Sequence, residues 1–168
     1  MVILACDLST NNSGLASISS DGKLNSYTNI DLHKNKDTEN RIDQMIMEID
    51  KYVNQVSPDI CYVEDAWGGG SFRNVATTKK LTNIIGAVRH MCLQNGCKFK
   101  TIMPSAWRSA IGLDGGRSTK RDEFKQRSIE YVRKKYGIDA QEDAAEAICI
   151  ATAAFLLETK EDTTALFE

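Results

Sequence analysis

The sequence predicts an α/β chain with a five-stranded mixed sheet: a three-strand antiparallel meander, then two parallel strands, all flanked by helices. Three observations carry this. Val2-Ile3-Leu4-Ala5-Cys6 is an unbroken apolar run with two β-branched residues, as expected of a strand buried on both faces. Asp21-Gly22, a tight-turn dipeptide, separates two further strand-like segments. A helical periodicity then leads from the meander to a second apolar run, Ile60-Cys61-Tyr62-Val63. A strand, a crossover helix and a strand favour a parallel, right-handed connection.

The elements follow in order. The first strand ends on Asp7, and the polar run from Ser9 to Ser13 turns the chain towards Gly14. Residues 14–19 and 24–30 complete the meander, and 31–36 make a polar connection. Asp37 or Thr38 can cap the next helix, whose Ile42, Met45, Ile46, Ile49 and Val53 recur at spacings of three and four. Ser57-Pro58-Asp59 stops it, and strand 60–64 again ends on a carboxylate, Glu64. Past the glycine-rich loop that starts at Trp67, a helix over 74–94 carries Leu81, Ile84, Ile85, Val88, Met91 and Cys92 as its stripe. Asn95-Gly96 ends it. Residues 99–103 read as a fifth strand closed by Pro104, and 105–117 as an irregular basic loop. Ser118 or Thr119 can cap a helix over 120–136, closed by Gly137. The last helix, 141–157, is rich in alanine and turns Ile148, Ala151, Ala154 and Phe155 inward. One domain therefore spans 1–157, and 158–168 form a frayed acidic tail.

With 42% hydrophobic and 26% charged residues, the composition is that of a soluble globular protein. No apolar run reaches transmembrane length, and the strand pattern begins directly after Met1, so the expected location is the cytoplasm. The five cysteines are odd in number and sit in apolar settings, and His33 and His90 add no ligand spacing. A disulfide framework and a structural zinc are both disfavoured. The net charge of −2 conceals a segregation: residues 71–136 hold 15 basic and 4 acidic side chains, whereas both ends are acidic. Such a middle can follow a phosphate backbone or can simply be solvated helix faces.

The acids are the candidate chemistry. A lone carboxylate at the end of a core strand is costly, so Asp7 either meets a cation or caps the loop that follows it. Parallel strands would bring Asp7 and Glu64 to one carboxyl edge of the sheet, where α/β sheets bind ligands. Asp143 and Glu146 are three apart on one helix face. Alone, they are explained by the helix dipole; with Asp7 and Glu64 they make four hard oxygen donors suited to Mg2+ or Mn2+. Two such ions are a standard device for phosphodiester hydrolysis. Glu142 competes with Asp143 for this role.

Five pieces in this order resemble the RuvC family of Holliday junction resolvases, within the ribonuclease H-like fold. They are Ile3-Leu4-Ala5-Cys6-Asp7 with Ser9 and Gly14; Pro58-Asp59 leading to Val63-Glu64; Phe72 and Asn74 ahead of a helix; Ile111-Gly112 followed by Lys120; and Asp143-Ala144-Ala145-Glu146-Ala147. The resemblance covers nearly the whole chain. It implies catalytic, metal-holding acids at Asp7, Glu64, Asp143 and Glu146, with two Mg2+ ions per active site and Mn2+ as a substitute. It places the family's basic residues on Arg108 and Lys120, Lys120 being catalytic, and a junction-centre aromatic on Trp67. Trp67 also reads as a cover for the sheet edge. Phe72, Arg73, Asn74, Arg117 and Arg121 join these as candidate DNA contacts. Two departures stand out: Glu146 lies where the family often has aspartate, and the loop from Ile111 to Lys120 is longer and richer in glycine.

The implied function is a structure-selective endonuclease that resolves four-way and other branched DNA by paired cuts. Paired cuts on a two-fold symmetric substrate imply a homodimer, with helix 74–94 as the first candidate interface. Two other classes compete: a branched-DNA binding module with little or no cleavage, and an ATPase-like nucleotide-binding domain, for whose two lobes the chain is short.

Overall fold

β1 (Val2–Asp7) lies at the centre of a five-stranded sheet of order β3-β2-β1-β4-β5. The computed structural model describes residues 1–65, 75–116 and 118–165, with side chains through residue 160. β2 (Asn12–Ser19) and β3 (Leu24–Asp31) complete the antiparallel meander, while β4 (Ile60–Glu64) and β5 (Lys98–Ile102) run parallel to β1. This is the mixed sheet the sequence predicts. The apolar run of β1 has its reason here: Ile3 and Ala5 enter one core, Leu4 and Cys6 the other.

α1 (Thr38–Val56) and α2 (Val75–Gln94) cover one face. Asp37, one of the two caps expected, accepts from the backbone N–H groups of Glu39 and Asn40. The helix ends at Ser57 in the left-handed conformation, φ 49°. The other face is covered chiefly by α5 (Glu142–Ala165), with α4 (Arg121–Tyr136) and α3 (Pro104–Ala110) beside it. All five cysteines are free and buried. Among the described residues no helix is long and apolar enough to cross a membrane.

Three expectations are corrected. Residues 104–110 are helical rather than irregular: Pro104 stands at the helix start, where its fixed φ and missing N–H cost nothing, instead of merely closing β5. Neither Ser118 nor Thr119 caps α4, whose N-cap is Lys120, with no side-chain hydrogen bond there. The last helix does not end at Leu157 but continues to Ala165. Glu158 is 8% exposed and accepts from Tyr62 Oη at 2.5 Å and Lys100 Nζ at 2.6 Å, which ties that extension to β4 and β5.

Small residues let α5 lie close to the sheet. Ala144, Ala145, Ala147, Ala151 and Ala154 are fully buried against it. The approach is tightest at Gly14, where a Cβ would lie 1.9 Å from the backbone oxygen of Asp143 and 2.7 Å from the nitrogen of Ala144. Gly14 is the register partner of Asp7 across β1 and β2. The absent side chain therefore seats the first turn of α5 beside the end of β1.

Gly14→Ala should cost about 3 kcal/mol, because the group it would meet is backbone and the whole helix must shift. The same change at Gly86, in the middle of α2 with nothing within 4 Å, should instead stabilise by about 1 kcal/mol. Urea unfolding of both variants measures the contrast in sign.

Candidate metal and nucleic-acid site

The turn after β1 closes on its own hydroxyls. Ser9 Oγ accepts from the N–H of Asn12 at 2.9 Å and donates to that residue's carbonyl at 2.6 Å; Ser13 Oγ accepts from Ser9 N at 3.0 Å. Arg41 of α1 donates to Thr10 O at 2.8 Å and holds the turn from outside. Asp7 is thus not needed as a cap for this loop.

Asp7, Asp143 and Glu146 each offer a carboxylate oxygen, and the three atoms lie within 4.8 Å of one another. Two come from one turn of α5 and one from the end of β1, a meeting that the close approach at Gly14 permits. Glu64, at the end of β4, stands beside them and is not one of that tight group. Its Oε2 accepts from the indole N–H of Trp107 at 2.6 Å. Asp143, rather than Glu142, belongs to the cluster; Glu142 pairs with Lys125. Asp143 also accepts from the Asn12 amide, which in turn accepts from Asn29 Nδ2 at 2.7 Å.

The four acids are all held above the ordinary carboxylate range. Burial is the largest cause for each. For Asp7, held well above it, repulsion from Glu146, Glu64 and Asp143 follows in that order. Repulsion from Glu64 comes second for Glu146. Lys125 opposes the rise at Asp7, Asp143 and Glu146, Arg108 at Glu64 and Glu146, and Arg121 at Glu64 and Asp143. Crowded, desolvated carboxylates with oxygen donors alone fit a hard divalent cation.

Arg108 stands beside Glu146. Its Nη2 is 3.8 Å from Glu146 Oε1, and its guanidinium carbon is 4.8 Å from the Trp107 ring centre and 4.3 Å from that of Phe124. Its Nε is buried with no hydrogen-bond partner among the described residues. Lys120 is exposed at the N-cap of α4 and Arg121 is exposed one residue on. Trp67, Phe72, Arg73, Asn74 and Arg117 lie outside the described residues.

Three further residues of this arrangement are not among those the sequence singles out. Lys125 is four residues after Arg121, so it shares a helix face with it; that spacing was the available signal. Trp107 lies within residues 105–117, which the sequence predicts as an irregular loop with no periodicity to mark a buried ring. Nothing in the turn singled out Asn12 from its polar neighbours.

No family model matches the chain, and no curated protein does. Among solved structures, Thermus thermophilus RuvC aligns with a TM-score of 0.72 and 18% identity, over 95% of this chain and 97% of that one. T. thermophilus RuvC in complex with a Holliday junction substrate gives 0.73 and 16%, over 95% and 96%. The yeast mitochondrial Holliday junction resolvase Ydc2 gives 0.58 and 14%, over 99% and 84%. The chain thus has the ribonuclease H-like fold of these resolvases, as the resemblance implied.

Raised carboxyl groups have a thermodynamic consequence. The folded state keeps protons at pH values where the unfolded chain has lost them, so stability falls as pH rises from the ordinary carboxylate range through the raised values. Melts of the protein in chelator should show Tm falling over that interval, with an added divalent cation restoring most of the loss. Asp7→Asn should flatten the fall, raise Tm at the upper end and remove most of the metal response.

Proposed function

We propose that this protein is a divalent-cation-dependent endonuclease that resolves four-way (Holliday) and related branched DNA in the cytoplasm. The observation that carries the reading is the meeting of Asp7, Asp143 and Glu146 within 4.8 Å, next to Glu64, at the carboxyl edge of β1 and β4. It is supported by a fold that aligns along 95% of the chain with a RuvC bound to a Holliday junction substrate.

In this reading Asp7, Asp143, Glu146 and Glu64 hold two cations, Mg2+ or Mn2+ in its place. Bound there, the ions would supply Lewis-acid stabilisation to the attacking and leaving oxygens of a phosphodiester. The protein's own residues do the rest. Arg108, braced by two aromatic rings beside Glu146, binds a phosphate oxygen and steadies the charge that builds there. Lys120 is assigned the second such contact. Arg121 and Arg117 follow the backbone on either side, positioning DNA without reading bases. Phe72, Arg73 and Asn74 contact DNA ahead of α2. Trp67 stacks on an unpaired base at the junction centre, an interaction worth about 1–3 kcal/mol.

The substrate argues for two copies. A four-way junction has two-fold symmetry and is resolved by two opposed cuts, so a homodimer with one site per copy matches it.

The deciding experiment compares cleavage of a mobile four-way junction with cleavage of a linear duplex of the same sequence, with and without Mg2+. Metal-dependent paired nicks in the junction, and little in the duplex, are expected. Asp7→Asn should bind the junction at least as well as wild type without metal, yet cut it slower by orders of magnitude, since a site of coupled groups fails as a unit. Normal cutting by Asp7→Asn would refute the assignment. Tight junction binding with no cutting by wild type would leave a branched-DNA binding module.

Neutralising Lys120 and Arg121 together with Arg117 should weaken binding to all sequences alike and flatten its salt dependence. The slope should drop by nearly one for each phosphate that is no longer neutralised. Titrations of one junction at several salt concentrations would measure it.

A further inference from the structure

α3 is seven residues long, and two adjacent side chains on it reach two different acids. Arg108 stands 3.8 Å from Glu146 Oε1 as a cation. Trp107 is different: it is 0% exposed, and its indole N–H donates to Glu64 Oε2 at 2.6 Å. A buried indole N–H needs an acceptor, and a backbone carbonyl is enough for that. Here the acceptor is instead an acid at the rim of the site. A neutral donor has a property that lysine or arginine lacks: it fixes a carboxylate without cancelling its charge. Glu64 is the member of the four most in need of such a tie, because it stands outside the tight group formed by Asp7, Asp143 and Glu146. The ring is itself immobilised, packed in the core with Ile148 and Ala144 of α5 in the same cluster, and covered on one side by Arg108.

We propose that Trp107 is a positioning residue of the cation site: its indole N–H fixes the Glu64 carboxylate, and through Glu64 it sets how tightly a divalent cation is held. The proposal rests on the reading of the acids as cation ligands. It adds a residue that neither the spacing of the acids nor the family resemblance singled out. Comparable hydrogen bonds to metal-binding side chains change metal affinity by about 10–100-fold when removed.

The test replaces Trp107 with benzothienylalanine, which keeps the bicyclic shape and lacks the N–H, and reads Mn2+ affinity by calorimetry. Trp107→Phe is a second variant, and each is also made in a Glu64→Gln background. Melting curves in chelator check that every variant is folded. The isostere should fold like wild type and bind Mn2+ about tenfold or more weakly. In the Glu64→Gln background the same replacement should change affinity by less than about twofold, as expected of a residue acting through its partner. Wild-type Mn2+ affinity in the isostere would overturn the proposal. An undiminished loss in the Glu64→Gln background would also overturn it, since Trp107 would then act by packing. Unchanged affinity in Glu64→Gln alone would remove Glu64 as a ligand and the proposal with it, leaving the other three acids in place. Failure of wild type to take up Mn2+ at all would overturn the functional reading as well.

Discussion

The close contact between α5 and β2 at Gly14 governs the rest of this structure. Backbone meets backbone there with no side chain between them, since a Cβ would lie 1.9 Å from Asp143 O. The alanine-rich start of α5 makes the same contact possible from the other side. Two consequences follow from one geometry. The helix buries its small residues directly on the sheet, and its first turn delivers Asp143 and Glu146 to the end of the strand that carries Asp7. Stability and site assembly share this contact, so a side chain added there disturbs both.

Bringing like charges together on a half-buried edge has an electrostatic cost, and the surroundings answer it in two ways. Cations offset part of it: Arg108 near Glu146, Lys125 towards Asp7 and Asp143, and Arg121 towards Glu64. Neutral donors orient without offsetting: Trp107 to Glu64 and Asn12 to Asp143. The compensation is incomplete, and burial with mutual repulsion still holds the acids above the ordinary carboxylate range. An incompletely neutralised set of oxygen donors is what a hard cation requires. The other end of α5 is handled differently: Glu158 is held by Tyr62 and Lys100, and its carboxyl lies below the usual range, where the lysine and tyrosine hydrogen bonds outweigh the effect of burial. The same helix thus carries strained acids at its start and a satisfied one near its end.

The segment between β5 and α4 has a similar economy. Pro104 starts α3, Trp107 anchors it in the core, and Arg108 lies over both Trp107 and Phe124. Gly115 approaches Phe124 closely enough that a Cβ would be 2.4 Å from its ring. Gly115 therefore packs on the ring that braces Arg108.

Local chemistry made much of this legible. The uninterrupted apolar run of β1 signalled burial on two faces, Asp21-Gly22 signalled the hairpin, and the period of α1 and its Asp37 cap marked the crossover helix. Each of these is a property of neighbours along the chain. Strand order then put Asp7 and Glu64 on one edge, and the three-residue spacing put Asp143 and Glu146 on one helix face. Other features depended on distant partners. Local signals could not separate Glu142 from Asp143, because Lys125, 17 residues back, takes the first and leaves the second to the cluster. Residues 104–110 looked like loop because the apolar anchor of α3 is a single tryptophan whose polar atom faces an acid 43 residues earlier. The extension of α5 past Leu157 has no local signal, because its acids suit solvent until Glu158 meets Tyr62 and Lys100 from two strands. Periodicity reports which face a residue shares, whereas a buried hydrogen bond between remote residues exists only once the sheet and α5 are in contact.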